Sequence, residues 1–521
     1  MNKLPLWITA LGFAMNACAQ QNPTAVKYAN LITADDARKH LSILASDEFE
    51  GRETGKAGAE KAANYIANEF KKLGLEAPKG SYFFNVPLSQ NTLKITAFNV
   101  NGQNFTAWKD FFVQGSMVDK RLTAPNVVFV GYGTEEELAR TDVAGKVVIM
   151  INEDKPVEGK KTNTSYRLST TRKEIVAALR AKNPALILAA NGELGGMLKR
   201  FNGNAPVGQL GIKKDDAAST PVPLFNITTE VADAFVKPSG KTFDQLKAAA
   251  ATAKQTQVIQ TIASIAYNTD KVDVKAVDVV GFMPGSDAKL KNEVLVISAH
   301  YDHIGLNTRP GATDKVNNGA DDDGSGTTGV LEIARAFSQA KKDGHGPKRS
   351  VLFLGNVGEE KGLLGSEYYT DHPIYPLANT IADLNIDMIG RVGDEYKNSP
   401  DSANYVYPIG SNMLSSDLHK IGDDANNTYT KLKLDYKYDD LNDPNQFYYR
   451  SDHYNFARYG VPIIFYFNGV HPDYHQPGDE VSKINFPLLA KRAQLVFYTG
   501  WELANRANRP VVDKPIAKAT R

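Results

Sequence analysis

Four short runs of nearly unbroken apolar residues set the limits on what this chain can fold into: "EVLVISA" (293–299), "SVLFLGN" (350–356), "TIADLNID" (380–387) and "VPIIFYF" (461–467). A strand with one wet face would alternate apolar and polar residues. A run that is apolar throughout suits a strand buried on both faces of a largely parallel sheet. Stretches with helical spacing lie between the runs, among them "GTTGVLEIARAFSQAKK" and the closing "FPLLAKRAQLVFYTGWELANR". Alternating β and α elements predict an α/β three-layer sandwich with a mixed, mostly parallel central sheet. Two helices precede it, "TADDARKHLSILAS" and "KAGAEKAANYIANEFKKLG". In the second, Ala62, Ile66, Phe70 and Leu73 share one apolar face and Gly74 marks the stop.

A chain of 521 residues is longer than a single core serves well, so two domains are expected. Between 121 and 262 the texture changes. The β-rich runs "NVVFVGYG", "KVVIMIN", "ALILAA" and "VPLFNIT" alternate with loops and end in an alanine-rich helix, "DQLKAAAATAK", without any cluster of His, Asp and Glu. This reads as a smaller β-rich domain (121–262) inserted into a main domain made of 28–120 and 263–510, with a tail at 511–521.

The net charge of +1 gives no reason to expect nucleic acid or an anionic membrane as partner. The opening "MNKLPLWITALGFAMNACAQQ" has the layout of an export signal over 1–19 and is too short to span a bilayer. "AMNAC" is a loose lipobox that would place a lipid anchor on the only cysteine, Cys18. Alternatively, Ala17-Cys18-Ala19 is a small-x-small cleavage site. On either reading the mature chain has no disulfide and leaves the cytoplasm, to the periplasm, the outer membrane or the medium. The sequence sets no oligomeric state.

Acids and imidazoles fall at the ends of the four runs. His300 and Asp302 follow the first, Glu359 and Glu360 the second, Asp387 ends the third, and His471 and His475 come after the fourth. "NGADDDGSG" (318–326) adds Asp321, Asp322 and Asp323 in the loop after the first strand. In open α/β sheets, ligands bind beyond the carboxyl ends of the strands. Taken singly, each group has an ordinary structural explanation; the acidic run, for example, reads as a helix N-cap region. Their arrival together at one sheet edge points to a metal centre. There is no GxSxG elbow, no retained thiol and no HExxH. Two imidazoles with several carboxylates suit zinc, and this many carboxylates suit two ions better than one. One carboxylate of the triplet would bridge them, and the flanking glycines would let the backbone turn around it.

The strings "SAHYDHIG", "NGADDDGSGTTGVLE", "NVGEEKGLLGSEYY", "LNIDMIGR", "RSDHYNFARYGVP" and "DYHQPGDE" resemble, in order, those of the secreted double-zinc aminopeptidases. The wider fold family also holds glutamate carboxypeptidases, glutaminyl cyclases and a receptor ectodomain. "DEFEGRETGKAGAEKAANYIANEFKKLGLE" resembles the family's N-terminal segment, and 121–262 resembles a protease-associated domain.

The resemblance implies two Zn²⁺ and peptide substrates. His300 and Asp387 would hold one ion, Glu360 and His475 the other, and Asp322 would bridge them, with a cis bond to Asp323. Asp302 would accept the second ring N–H of His300, and Glu359 would be the general base. Tyr474 and Arg450 match positions near the reacting carbonyl in some relatives. His303, His453 and His471 fall off the ligand positions and read as supporting residues. The stretch 391–450 matches no family pattern and is expected to build pocket walls. An aminopeptidase is the leading expectation. A carboxypeptidase or other amidohydrolase on the same scaffold, and a non-enzymatic binding ectodomain, are the alternatives.

Overall fold

The computed structural model describes residues 21–113, 119–139, 141–201, 203, 208–213, 222–253 and 255–516. The expected export signal, with Cys18, lies outside them, as does the tail from 517 onward. The chain divides into two compact units, one of Met1–Pro87 with Lys275–Arg521 and one of Leu88–Val274.

In the first unit the four apolar runs are all strands. The unit uses the end of β1 (Gln257–Met283), then β2 (Val294–His300), β3 (Ser350–Asn356), β4 (Thr380–Ile386), β5 (Tyr405–Ile409) and β6 (Ile463–Phe467). The order across the sheet is β5-β6-β4-β2-β3-β1. Strands β3, β2, β4 and β6 are parallel, while β5 and β1 pair antiparallel on either side. Every residue of β2 through β6 is buried, which is why the runs show no polar alternation.

Alternate side chains leave the sheet toward two layers. Leu295, Ile297 and Leu384 lie against Gly500 of helix Phe486–Asn505, and Phe353 meets Phe70 and Phe337. Val294, Val296, Leu352 and Leu354 join a cluster with Tyr369, Tyr454 and Phe456 on the other face. Helices Gly326–Lys342 and Phe486–Asn505 cover the first face, with Ala34–Leu44 and Ala57–Leu73 packed on them. The short helices Leu364–Asp371 and His453–Ala457 lie on the second. The expected three-layer α/β architecture is the observed one.

In the second unit the first half of β1 pairs antiparallel with Lys120–Phe129. Lys120–Phe129, Val147–Ile151, Leu186–Ala190 and Leu224–Ile227 run parallel in that order, with Phe111–Val113 antiparallel to the last. The strands stand where the sequence placed them. Two helices, Thr170–Ala181 and Thr229–Val236, occupy what read as loops. Thr170–Ala181 buries only Arg172, Val176 and Leu179, too sparse an apolar face to stand out from sequence. The unit is also wider than 121–262. Phe98, Val100 and Phe111 share one core with Phe225 and Ile265, so 88–120 and 263–274 go with it rather than with the main domain.

Candidate metal centre

Because β2, β3, β4 and β6 are parallel, their carboxyl ends open on one edge. His300 is the last residue of β2, and Asp387 directly follows β4. The aspartate loop arrives beside them after a turn at Gly319, where φ is 57° and a Cβ would sit 2.5 Å from the His303 ring, so only glycine fits.

The three aspartates face different ways. The Asp321 carboxylate accepts from the N–H of Gly390 (2.6 Å), Ser325 Oγ (3.0 Å) and Asn468 Nδ2 (2.7 Å), and lies 3.2 Å from His471 Nε2. Asp323 accepts from the N–H groups of Gly326 (2.8 Å) and Met388 (3.0 Å). Asp322 is left facing the imidazoles, with Oδ1 3.3 Å from His300 Nε2 and Oδ2 3.1 Å from His475 Nε2. The Asp322–Asp323 peptide bond is cis. Asp479 holds the loop from behind, its Oδ2 accepting the N–H groups of Asp321 and Asp322 at 3.0 Å each.

Around Asp322 the other expected donors gather. His300 Nε2 is 3.7 Å from Asp387 Oδ1 and 3.9 Å from Glu359 Oε2, and His475 Nε2 is 3.0 Å from Glu360 Oε2. The far ring nitrogen of His300, Nδ1, donates to the main-chain oxygen of Asp302 at 3.1 Å, while the Asp302 carboxylate is 3.6 Å away. The main chain of Asp302, rather than its carboxylate, is therefore the closer partner that sets the tautomer. His453 and His471 are turned to structural partners, Tyr448 O and Asp321.

His303, which falls off the family's ligand positions, nevertheless belongs to the cluster. It is fully buried, with Nδ1 2.8 Å from Glu360 Oε1 and 3.8 Å from Asp322 Oδ2. The other residue the sequence reading missed is Asp479. It stands in the quoted string "DYHQPGDE", but its role depends on a loop far away in the chain.

The chemistry of the cluster fits a cation. His300 Nε2, Asp322 Oδ2, Glu360 Oε1, His475 Nε2 and both ring nitrogens of His303 are buried and crowd against one another without making a hydrogen bond of good geometry. Such atoms are costly unless something positive collects them. Two sets of donor atoms lie within 4.8 Å of one another, His300 with Glu359 and Asp387, and His303 with Asp322 and Glu360. Burial, with Glu360 and Asp387 close by, keeps Glu359 well above the usual carboxylate range despite His300. Burial opposes charge on His475, but Asp322 and Glu360 outweigh it and raise its pKa to about 10.

A pocket of about 340 Å³ opens onto this cluster. Its walls are Met388, Phe447, Phe465, Phe467 and Val470, and Arg450 and Tyr474 complete the lining. Phe447 and Arg450 come from 391–450, which supplies part of the wall as expected. Tyr474 stacks on the His475 ring at 3.9 Å, and its hydroxyl lies 3.3 Å from Arg450 Nη2.

Residues 278–500 match the model of peptidase family M28, and the whole donor cluster falls inside that span. Over this span the chain is similar to peptidase family M28. Over 239 residues the chain is 27% identical to aminopeptidase YwaD of Bacillus subtilis, covering 44% of this chain and 45% of that one. It is 31% identical to a probable leucine aminopeptidase of Arthroderma otae, over 43% of this chain and 56% of that one. The chain spans about half the length of the curated relatives it matches. Among solved structures, the aminopeptidase from Aneurinibacillus sp. strain AM-1 shares the fold, with a TM-score of 0.55 and 19% identity, over 95% of this chain and 98% of that one. The M28 segment supplies every candidate ligand. No helix among the described residues is long and apolar enough to cross a membrane.

Proposed function

We propose that this chain is a metal-dependent aminopeptidase that holds two zinc ions and removes N-terminal residues from peptides. One observation carries the reading: four donor side chains from separate strand ends, His300, Asp387, Glu360 and His475, gather around Asp322, with the Glu359 carboxylate beside them. Imidazoles with carboxylates suit zinc. His300 and Asp387 would hold one ion, Glu360 and His475 the other, with Asp322 between them. Distance alone groups Glu359 with His300 and Asp387. Asp322 Oδ1, 3.3 Å from His300 Nε2, completes that set without Glu359, and a carboxyl with a raised pKa is suited to carrying a proton.

Bound there, zinc would polarise the scissile carbonyl and lower the pKa of a water molecule. Glu359 takes the proton of the attacking water and passes it to the departing amine. Tyr474 Oη and Arg450 Nη2 line the pocket as donors to the oxygen on which charge develops. The apolar wall accepts the side chain of the residue removed, so apolar N-terminal residues are the preferred substrates.

Arg450 also favours a second reading, a carboxypeptidase, because among the described residues it is the one cationic side chain lining the pocket and would meet a substrate carboxylate. We also assign the second unit as a protease-associated-type insertion, on resemblance and position in the chain. The residues of 1–19 support export, with Cys18 as the site of a lipid anchor.

The test is zinc analysis of purified protein together with hydrolysis of aminoacyl and N-blocked chromogenic peptides. Two ions per chain and cleavage of free-amine substrates alone support the aminopeptidase. Cleavage of the N-blocked peptides at a free carboxyl end would establish the carboxypeptidase, and no hydrolysis by zinc-loaded protein would refute both.

A further inference from the structure

Three consecutive residues outside the M28 segment reach into the centre. Arg52 is 1% exposed, and its guanidinium donates only to main-chain oxygens: Nε to Tyr301 (2.8 Å), Nη1 to Leu44 and Asn318 (2.7 Å each), and Nη2 to Gly319 (2.8 Å). Tyr301 stands between His300 and Asp302, and Asn318 and Gly319 lead into the aspartate loop. One planar fork therefore sets the gap between the loop of His300 and the loop of Asp322. Thr54 Oγ1 donates to Asp302 Oδ2 at 2.6 Å, and Asp302 Oδ1 accepts the N–H of Glu359 at 3.2 Å. Glu53 pairs with Lys361, next to Glu360, at 2.9 Å.

The backbone locks the same segment in place. The N–H groups of His303 and Gly305 donate to the carbonyls of Arg52 (3.2 Å) and Gly51 (3.0 Å). At Gly51, with φ 64°, a Cβ would lie 2.4 Å from the carbonyl oxygen of Asn317, so no other residue fits there.

We propose that Arg52, Glu53 and Thr54 are positioning residues for the reaction centre, a clamp that fixes the loops of His300 and Asp322 and the turn of Glu359 and Glu360 relative to one another. The inference rests on the metal-dependent reading above, since those loops are the ones assigned to the ions and the base. The guanidinium fork spans four carbonyls in a fixed plane, which an ammonium cannot do. The Thr54 hydroxyl acts through Asp302 on both His300 and the Glu359 turn, two groups that must hold their geometry to within about 0.5 Å.

Thr54→Val, nearly isosteric, tests the clamp in the full chain, with Thr54→Ser as the conservative partner and Arg52→Lys as the second site. The readouts are zinc affinity by competition with a chromogenic chelator, kcat and KM on a free-amine substrate, and the folded fraction. Thr54→Val and Arg52→Lys should each lose about 10–100-fold in zinc affinity and lower kcat with little change in KM. Thr54→Ser should restore both. A folded Thr54→Val protein with wild-type zinc affinity and kcat overturns the clamp, as does a serine variant that restores stability but not zinc affinity. Wild-type protein that neither binds zinc nor hydrolyses peptides would instead sink the functional reading, so the two failures are separable.

Discussion

His475 Nε2 stands 3.1 Å from one oxygen of Asp322, the opposite oxygen from the one that faces His300 Nε2 at 3.3 Å. A single carboxylate thus touches both donor sets. Asp322→Asn keeps the shape and removes the charge that serves both. Both ions should weaken together, each by at least about tenfold, as read by stepwise chelator competition. Release of one ion with the other held at wild-type affinity would rule out a bridge.

Glu359 is adjacent in sequence to Glu360 but takes a different part. Its N–H is held by Asp302, and its carboxylate stays above the usual range through burial and the nearby Glu360 and Asp387. Glu359→Gln should keep both ions and lower kcat by about 10²–10⁴-fold, the scale of a lost general base. Zinc content and turnover measured on the same sample check it. Full activity in the variant would remove Glu359 from the mechanism.

Tyr474→Phe retains the ring that stacks on His475 and deletes only the hydroxyl 3.3 Å from Arg450. A donor to developing charge contributes to kcat more than to KM, so kcat should fall about 10²-fold with KM nearly unchanged. A rise in KM at constant kcat would show that the hydroxyl binds ground-state substrate instead.

The sheet and the donor residues were legible in sequence for a physical reason. Burial on both faces leaves an unbroken apolar run, and parallel strands bring their carboxyl ends to one edge, so His300, Glu359, Asp387 and His475 could be placed by position alone. Contacts that depend on chain geometry left no such mark. His303 is one residue past Asp302, and nothing in the string shows its ring turning back to Glu360. Asp479 serves two N–H groups in a loop more than a hundred residues earlier, a pairing without periodicity. Helix Thr170–Ala181 was missed because it presents few apolar residues, and the limits of the second unit because residues 88–113 enter its core from outside the β-rich stretch.

His453 gives a stability prediction that is independent of the metals. The ring is fully buried, stacked on Phe465 at 4.7 Å, and its Nε2–H donates to Tyr448 O at 2.8 Å, while Nδ1 has no partner. Burial pushes its pKa down from 6.5 to about 3. Between those values the unfolded chain binds a proton that the folded one refuses, so this group costs stability as pH falls below 6.5. The cost reaches about 2 kcal/mol at pH 5, at 1.36 kcal/mol per pKa unit. His453→Gln keeps an N–H for Tyr448 and cannot titrate. Denaturant unfolding at pH 7 and pH 5 should therefore show wild-type protein losing about 2 kcal/mol more than the variant across that interval. Equal losses would mean that the folded protein accommodates a protonated His453, and that its burial does not control acid stability.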